Sequence, residues 1–97
     1  MATYITLFNY TEQGIKNMKG TPERVLAARQ ALENMGGRLH GYRLTIGEYD
    51  AVLTIEAPDD EAYATFILNL AAQGNIRTTT LKAFSEEESF RIFGNLS

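Results

Sequence analysis

The segments RLHGYRLTI and YDAVLTIEA each have the period of two of a β-strand, and only Gly47-Glu48 separates them. A two-residue loop with glycine in its first position suits a type II′ turn, so the centre of the chain reads as an antiparallel hairpin. The sequence on either side of this hairpin changes to helical period. Upstream, Thr21, Pro22 and Glu23 offer an N-cap, an N1 proline and an acid in the positive first turn. Val25, Ala28, Leu32 and Met35 then recur at helical spacing until Gly36-Gly37 supply the left-handed residue that commonly closes a helix. Downstream, Pro58 ends the hairpin, Asp59 is placed to cap, and Ala62, Phe66 and Leu70 share one helical face before Gly74-Asn75.

Outside the two helices the strand signal returns. Residues Ala2 to Asn9 alternate, and NIRTTTLKAF is rich in β-branched residues. Thr11 can cap a short turn over EQGIKNMK, and Ser85 with Glu88 forms a capping box that opens a short terminal helix. The order βαββαβ with a tail helix predicts one α+β domain over residues 1–97, an antiparallel sheet with helices on one face, the ferredoxin-like arrangement. Ile5, Leu7, Leu44, Ala51, Leu53 and Ile55 are assigned to the helix-covered face. Tyr4, Thr6, Phe8 and Val52 then fall on the opposite face, more apolar area than a small monomer leaves in water. A homodimer or higher oligomer, packing sheet on sheet, is the expected remedy.

Composition narrows the function. Nine Lys and Arg against twelve Asp and Glu give a formal charge of -3, the wrong sign for a chain held to nucleic acid by counterion release. Cysteine is absent, which excludes disulfides, thiolate nucleophiles and Cys-based metal sites. One histidine and no cage-like acidic spacing predict no metal and no cofactor. No apolar run reaches the roughly 18 residues of a membrane span, and MATYITLFNY lacks the basic start of a signal peptide, so a cytoplasmic protein is expected.

The stretches TYITLFNYTEQGIKN, GYRLTIGEYDAV, APDD and QGNIRTTTLKAFSEEE together resemble the GYD domain family over nearly the whole length. The tripeptide that names the family appears split, as Gly47, Glu48, Tyr49 and Asp50. The resemblance implies a dimeric α+β barrel and brings no established activity. A looser similarity links the hairpin to the ligand-sensing domain of the leucine-responsive regulators, which has a G-x-Y-D pattern before an apolar strand. There the turn helps to bind amino-acid effectors between subunits, and this likeness carries Gly47, Tyr49 and Asp50 across as ligand-binding candidates. With no helix-turn-helix ahead of it, such a domain is expected to sense rather than to read DNA.

The turn also sets a register. With Gly47-Glu48 at its tip, Ile46 pairs with Tyr49, Thr45 with Asp50 and Arg43 with Val52, which places Arg43 and Asp50 diagonally on one face. Asp50 is expected to pin the turn or to pair with Arg43, ahead of the alternative in which both face a ligand; a three-residue loop with a bulge would swap the faces. His40 falls opposite Ile55, about 17 Å from Asp50 at strand spacing and on the other face, so a His-Asp dyad within the chain is not expected. The hydroxyls of RTTTLKA, with Arg77 and Lys82, are read as strand residues before an anion site, and Glu86 to Glu88 as capping. The five tyrosines are read as core and interface before an aromatic cleft. The leading expectation is a homo-oligomeric small-molecule-binding or sensing domain. Its ligand would lie in the cleft between sheet and helices or at the subunit seam by GEYD. A cofactor-independent enzyme of oxygenase or isomerase type, and a structural assembly unit, are the alternatives.

Overall fold

The computed structural model describes residues 1–97. Its elements are β1 (Ala2–Tyr10), α1 (Glu12–Lys16), a 3-10 turn (Met18–Gly20), α2 (Thr21–Asn34), β2 (Arg38–Leu44), β3 (Ala51–Ala57), α3 (Asp60–Ala71), β4 (Ile76–Ala83) and α4 (Glu86–Gly94). The four strands form one sheet in the order β2-β3-β1-β4, every neighbour antiparallel. This is the ferredoxin-like α+β arrangement that the alternation of periods predicts.

Helix ends follow local chemistry with one exception. The Thr11 hydroxyl accepts from the Gly14 amide, Asp59 accepts from the Ala62 amide at 2.8 Å, and Ser85 with Glu88 closes a full capping box. Thr21, expected as an N-cap, is instead the first helical residue, because the 3-10 turn runs straight into α2 and gives it helical dihedrals. Its hydroxyl is thereby released for the interior. Gly36 takes φ +85 after α2, and the Gly37 amide donates back to the Leu32 carbonyl, as in a Schellman closure.

The helix-covered face of β3 is as expected: Ala51, Leu53, Ile55 and Ala57 are buried and Val52 turns the other way. The assignment of β1 is reversed. Tyr4, Thr6, Phe8 and Tyr10 point into the core, and Ile5 and Leu7 lie half-exposed on the open face. The pairing requires this, since Tyr4 lies opposite Ile55, Thr6 opposite Leu53 and Phe8 opposite Ala51, and paired residues share a face. What makes it affordable for Tyr and Thr is that each buried hydroxyl finds a partner, and no buried side-chain polar atom is left unpaired. Leu44 also departs from expectation. It pairs with Ala51, yet it is 68% exposed at the strand end, on the rim of a groove beside the start of α2 and not beneath the helix.

The open face carries Ile5 beside Leu81 and Leu7 beside Val52, with Thr54, Thr79 and Arg43 flanking them. Nothing in the chain covers this strip. Nor does α4 bury any residue: Phe90 and Phe93 are 63% and 64% exposed.

Candidate functional site

The hairpin register is as predicted, with Arg43 opposite Val52 and Leu44 opposite Ala51, and one further ladder bond runs from the Thr45 amide to the Asp50 carbonyl. Beyond it the chain opens into a loop instead of closing in a two-residue turn. Gly47 takes φ +138 there, the Thr45 hydroxyl donates to the Tyr49 carbonyl at 2.6 Å, and Ile46 is fully exposed. Asp50 does not meet Arg43. Its amide donates to the Phe8 carbonyl at 2.9 Å, and its carboxylate accepts the Tyr10 amide at 3.0 Å. Asp50 therefore fastens the hairpin loop to the end of β1, while Arg43 stays exposed on the open face without an acidic partner.

His40 is corrected too. A bulge between Leu39 and Gly41 shifts the register, so Leu39 lies opposite Ile55, and the His40 imidazole sits 3.2 Å from the Glu56 carboxylate. The threonine run of β4 gathers no anion site: Thr80 bonds the Tyr63 hydroxyl and Lys82 pairs with Asp60.

Tyrosine hydroxyls organise both ends of β1. At its start Tyr4 stacks on Tyr63 with ring centroids 4.0 Å apart, and the Tyr4 hydroxyl donates to Asp60 at 2.5 Å. The Tyr63 hydroxyl bonds Thr6 at 2.7 Å and Thr80 at 2.6 Å. Every member is satisfied, so this end reads as structure. Burial, and then the hydrogen bond to Asp60, push the Tyr4 phenol up to about 12 from 10.0. The folded protein thus holds this proton longer than the unfolded chain does. The associated stability is complete below pH 10 and is lost as pH rises from about 10 through about 12. Melting temperature should fall across that window, and Tyr4→Phe should flatten part of the fall; an unchanged alkaline limb in the variant would contradict the assignment.

The other end is different. Tyr10 and Tyr42 share a 2.7 Å hydrogen bond, Tyr10 also bonds the released Thr21 hydroxyl at 3.1 Å, and the Arg24 guanidinium donates to Thr21 at 3.2 Å. These groups stand over an apolar cavity of about 40 Å³ between α2, α3 and the sheet, walled by Phe8, Val25, Leu53 and Leu70. Outside it a groove of about 290 Å³ runs between the helices, sharing Arg24, Ala28, Leu70 and Gln73 with the cavity. Burial first, then the Tyr10 hydrogen bond and the nearby Asp50 charge, push the Tyr42 phenol above its ordinary range. At neutral pH it is a hydrogen-bond donor and not a base. No cluster of three His, Cys, Asp or Glu side chains is placed to hold a metal ion. No helix is long and apolar enough to cross a membrane.

None of the four residues singled out by the hairpin lines this cavity. The missed signal lay in α2, where Thr21, Arg24, Val25 and Ala28 recur at spacings of three and four and so share a face. A positive charge on the core-facing side of a helix was legible as an anomaly.

A two-layer ferredoxin-like domain, with an apolar cavity under a cluster of phenols and a guanidinium, is the class that fold and site define. The chain belongs to the GYD domain family, which it matches over residues 4–92. It is also 36% identical, over 84 residues, to a Thermus thermophilus protein named glutamine synthetase and cystathionine beta-lyase binding protein. The alignment covers 86% of this chain and 88% of that relative.

Proposed function

We propose that the protein is a homo-oligomeric cytoplasmic domain that binds or senses a small molecule in the cleft between its sheet and helices. The unequal treatment of the two sheet faces carries this reading. One face is covered by helices that leave a cavity beneath them, and the other presents Ile5, Leu7, Val52 and Leu81 uncovered. A second copy packed through a twofold, self-complementary contact would cover the strip and give the dimeric α+β barrel. Arg43 and the loop Gly47 to Asp50 would then border the seam, where Tyr49 and Asp50 could reach a ligand only with the partner in place.

Light scattering at micromolar concentration should return a dimer or larger species; a monomer removes the assembly. A thermal-shift screen of amino acids, aromatic acids and nucleotides tests binding, with Asp50→Asn as the companion. A ligand in the cleft should raise the melting temperature of both proteins alike, and one that fails only with Asp50→Asn would place the site at the seam.

Protein docking is a second reading, favoured by α4, which buries none of its residues and leaves Phe90 and Phe93 largely exposed. The relative's name is in keeping with it. Replacing both phenylalanines by serine should change stability by no more than about 0.5 kcal/mol in denaturant unfolding, as for other surface changes. The same variant should lose any affinity for a glutamine synthetase measured by calorimetric titration; undiminished binding would clear α4 of the role.

A further inference from the structure

Arg24 is half-buried at the cavity mouth, and none of the chain's three ion pairs includes it: they are Lys16–Glu12, His40–Glu56 and Lys82–Asp60. Its one side-chain partner is Thr21, so most of a guanidinium's five donors remain unused. A partly desolvated cation without a counter-ion is costly, and the planar fork of arginine fits a carboxylate through two parallel bonds. The hydroxyl chain adds a second recognition element. Thr21, Tyr10 and Tyr42 own one proton each, while only two hydrogen bonds link the three oxygens, so one hydroxyl proton is left to donate. Both elements supply donors to an acceptor with negative charge.

We propose, building on the cleft-binding reading above, that the ligand is a short-chain monocarboxylate, the tip of its apolar body in the cavity, the rest in the adjoining groove and its carboxylate on Arg24. The cavity of about 40 Å³ takes little more than a methyl branch at the tip of that body, and the groove of about 290 Å³ alongside leaves room for the rest of it and the head group. The charge is single because Arg24 is the only cation among the cavity-lining residues. An α-amino acid is disfavoured on the same ground. No Asp or Glu side chain lines either the cavity or the groove, so an ammonium beside the carboxylate would lose its water and find no counter-charge. A desamino acid is therefore selected over the amino acid of the same carbon skeleton.

Calorimetric titration of the full chain at neutral pH with isovalerate, leucine and isovaleramide tests this. Isovalerate should bind roughly ten- to a hundred-fold more tightly than either of the others, the span of a charge-assisted hydrogen bond. Arg24→Gln should remove the preference for isovalerate over its amide, and Arg24→Lys should restore part of it. Ala28→Leu, which fills the cavity with Arg24 intact, should abolish binding. Tighter binding of leucine, equal binding by Arg24→Gln, or undiminished binding by Ala28→Leu overturns the proposal. If no carboxylate binds while a nucleotide or neutral compound from the screen does, this inference fails and the cleft reading stands. If no compound of any class binds, both fail.

Discussion

Leu7→Glu is expected to make the protein a folded monomer at micromolar concentration. Leu7 lies near the centre of the open face, with Val52 on one side of it and Thr79 on the other, and it is half-exposed in the single chain. A glutamate there can reach water in the monomer, so the fold itself should lose no more than about 1 kcal/mol. In a twofold contact the residue near the axis meets its own copy. Two carboxylates would be desolvated against each other, a cost of several kcal/mol, or a weakening of at least about a hundred-fold. Light scattering with circular dichroism separates the outcomes. Loss of the oligomer with an intact helix and strand spectrum supports the sheet-on-sheet contact, whereas an oligomer of unchanged mass puts the interface elsewhere.

Asp50→Ala should destabilise the protein by about 1–3 kcal/mol, because the amide of the buried Tyr10 loses its acceptor. At the sensitivity of a domain this small, that is a fall in melting temperature of at least about 4 °C. Asp50→Asn keeps an acceptor oxygen at the same place and should recover much of the loss. Such a pattern would define the aspartate of the GYD segment as the clasp between hairpin and β1. Unchanged stability in the alanine variant, combined with lost ligand binding, would return Asp50 to the seam.

The hairpin was legible because centring it on Gly47-Glu48 between two alternating runs sets its register, and Arg43 does lie opposite Val52. The faces of β1 were not. Both sides of that strand are apolar, and hydropathy ranks Ile5 and Leu7 above Tyr4 and Thr6. What reverses the order is a set of hydroxyl partners, Tyr63 and Asp60, more than fifty residues away in sequence. Asp50 pins the loop, as one reading of the sequence had it, but the group it pins to was missed for a related reason. Its partner is the backbone of Tyr10, forty residues upstream, which no local pairing rule can reach. The bulge at His40 moved the histidine to Glu56, and the signal for it was Gly41, an isolated glycine inside the strand pattern that takes φ +156. Arg24 differs from these, since its position on the apolar side of α2 stands in the sequence and needed only to be weighed against the habit of reading arginine as surface.

The distribution of phenols along β1 has an optical consequence. The chain contains five tyrosines and no tryptophan, so tyrosine dominates its emission and its near-ultraviolet dichroism, over the weaker bands of five phenylalanines. Four of the five sit in two separate hydroxyl clusters, Tyr4 with Tyr63 at one end of the strand and Tyr10 with Tyr42 at the other. Phenylalanine at either pair silences one end and leaves the other reporting. The native protein thus carries two unlabelled probes on a single strand, one on the structural cluster and one at the mouth of the cleft.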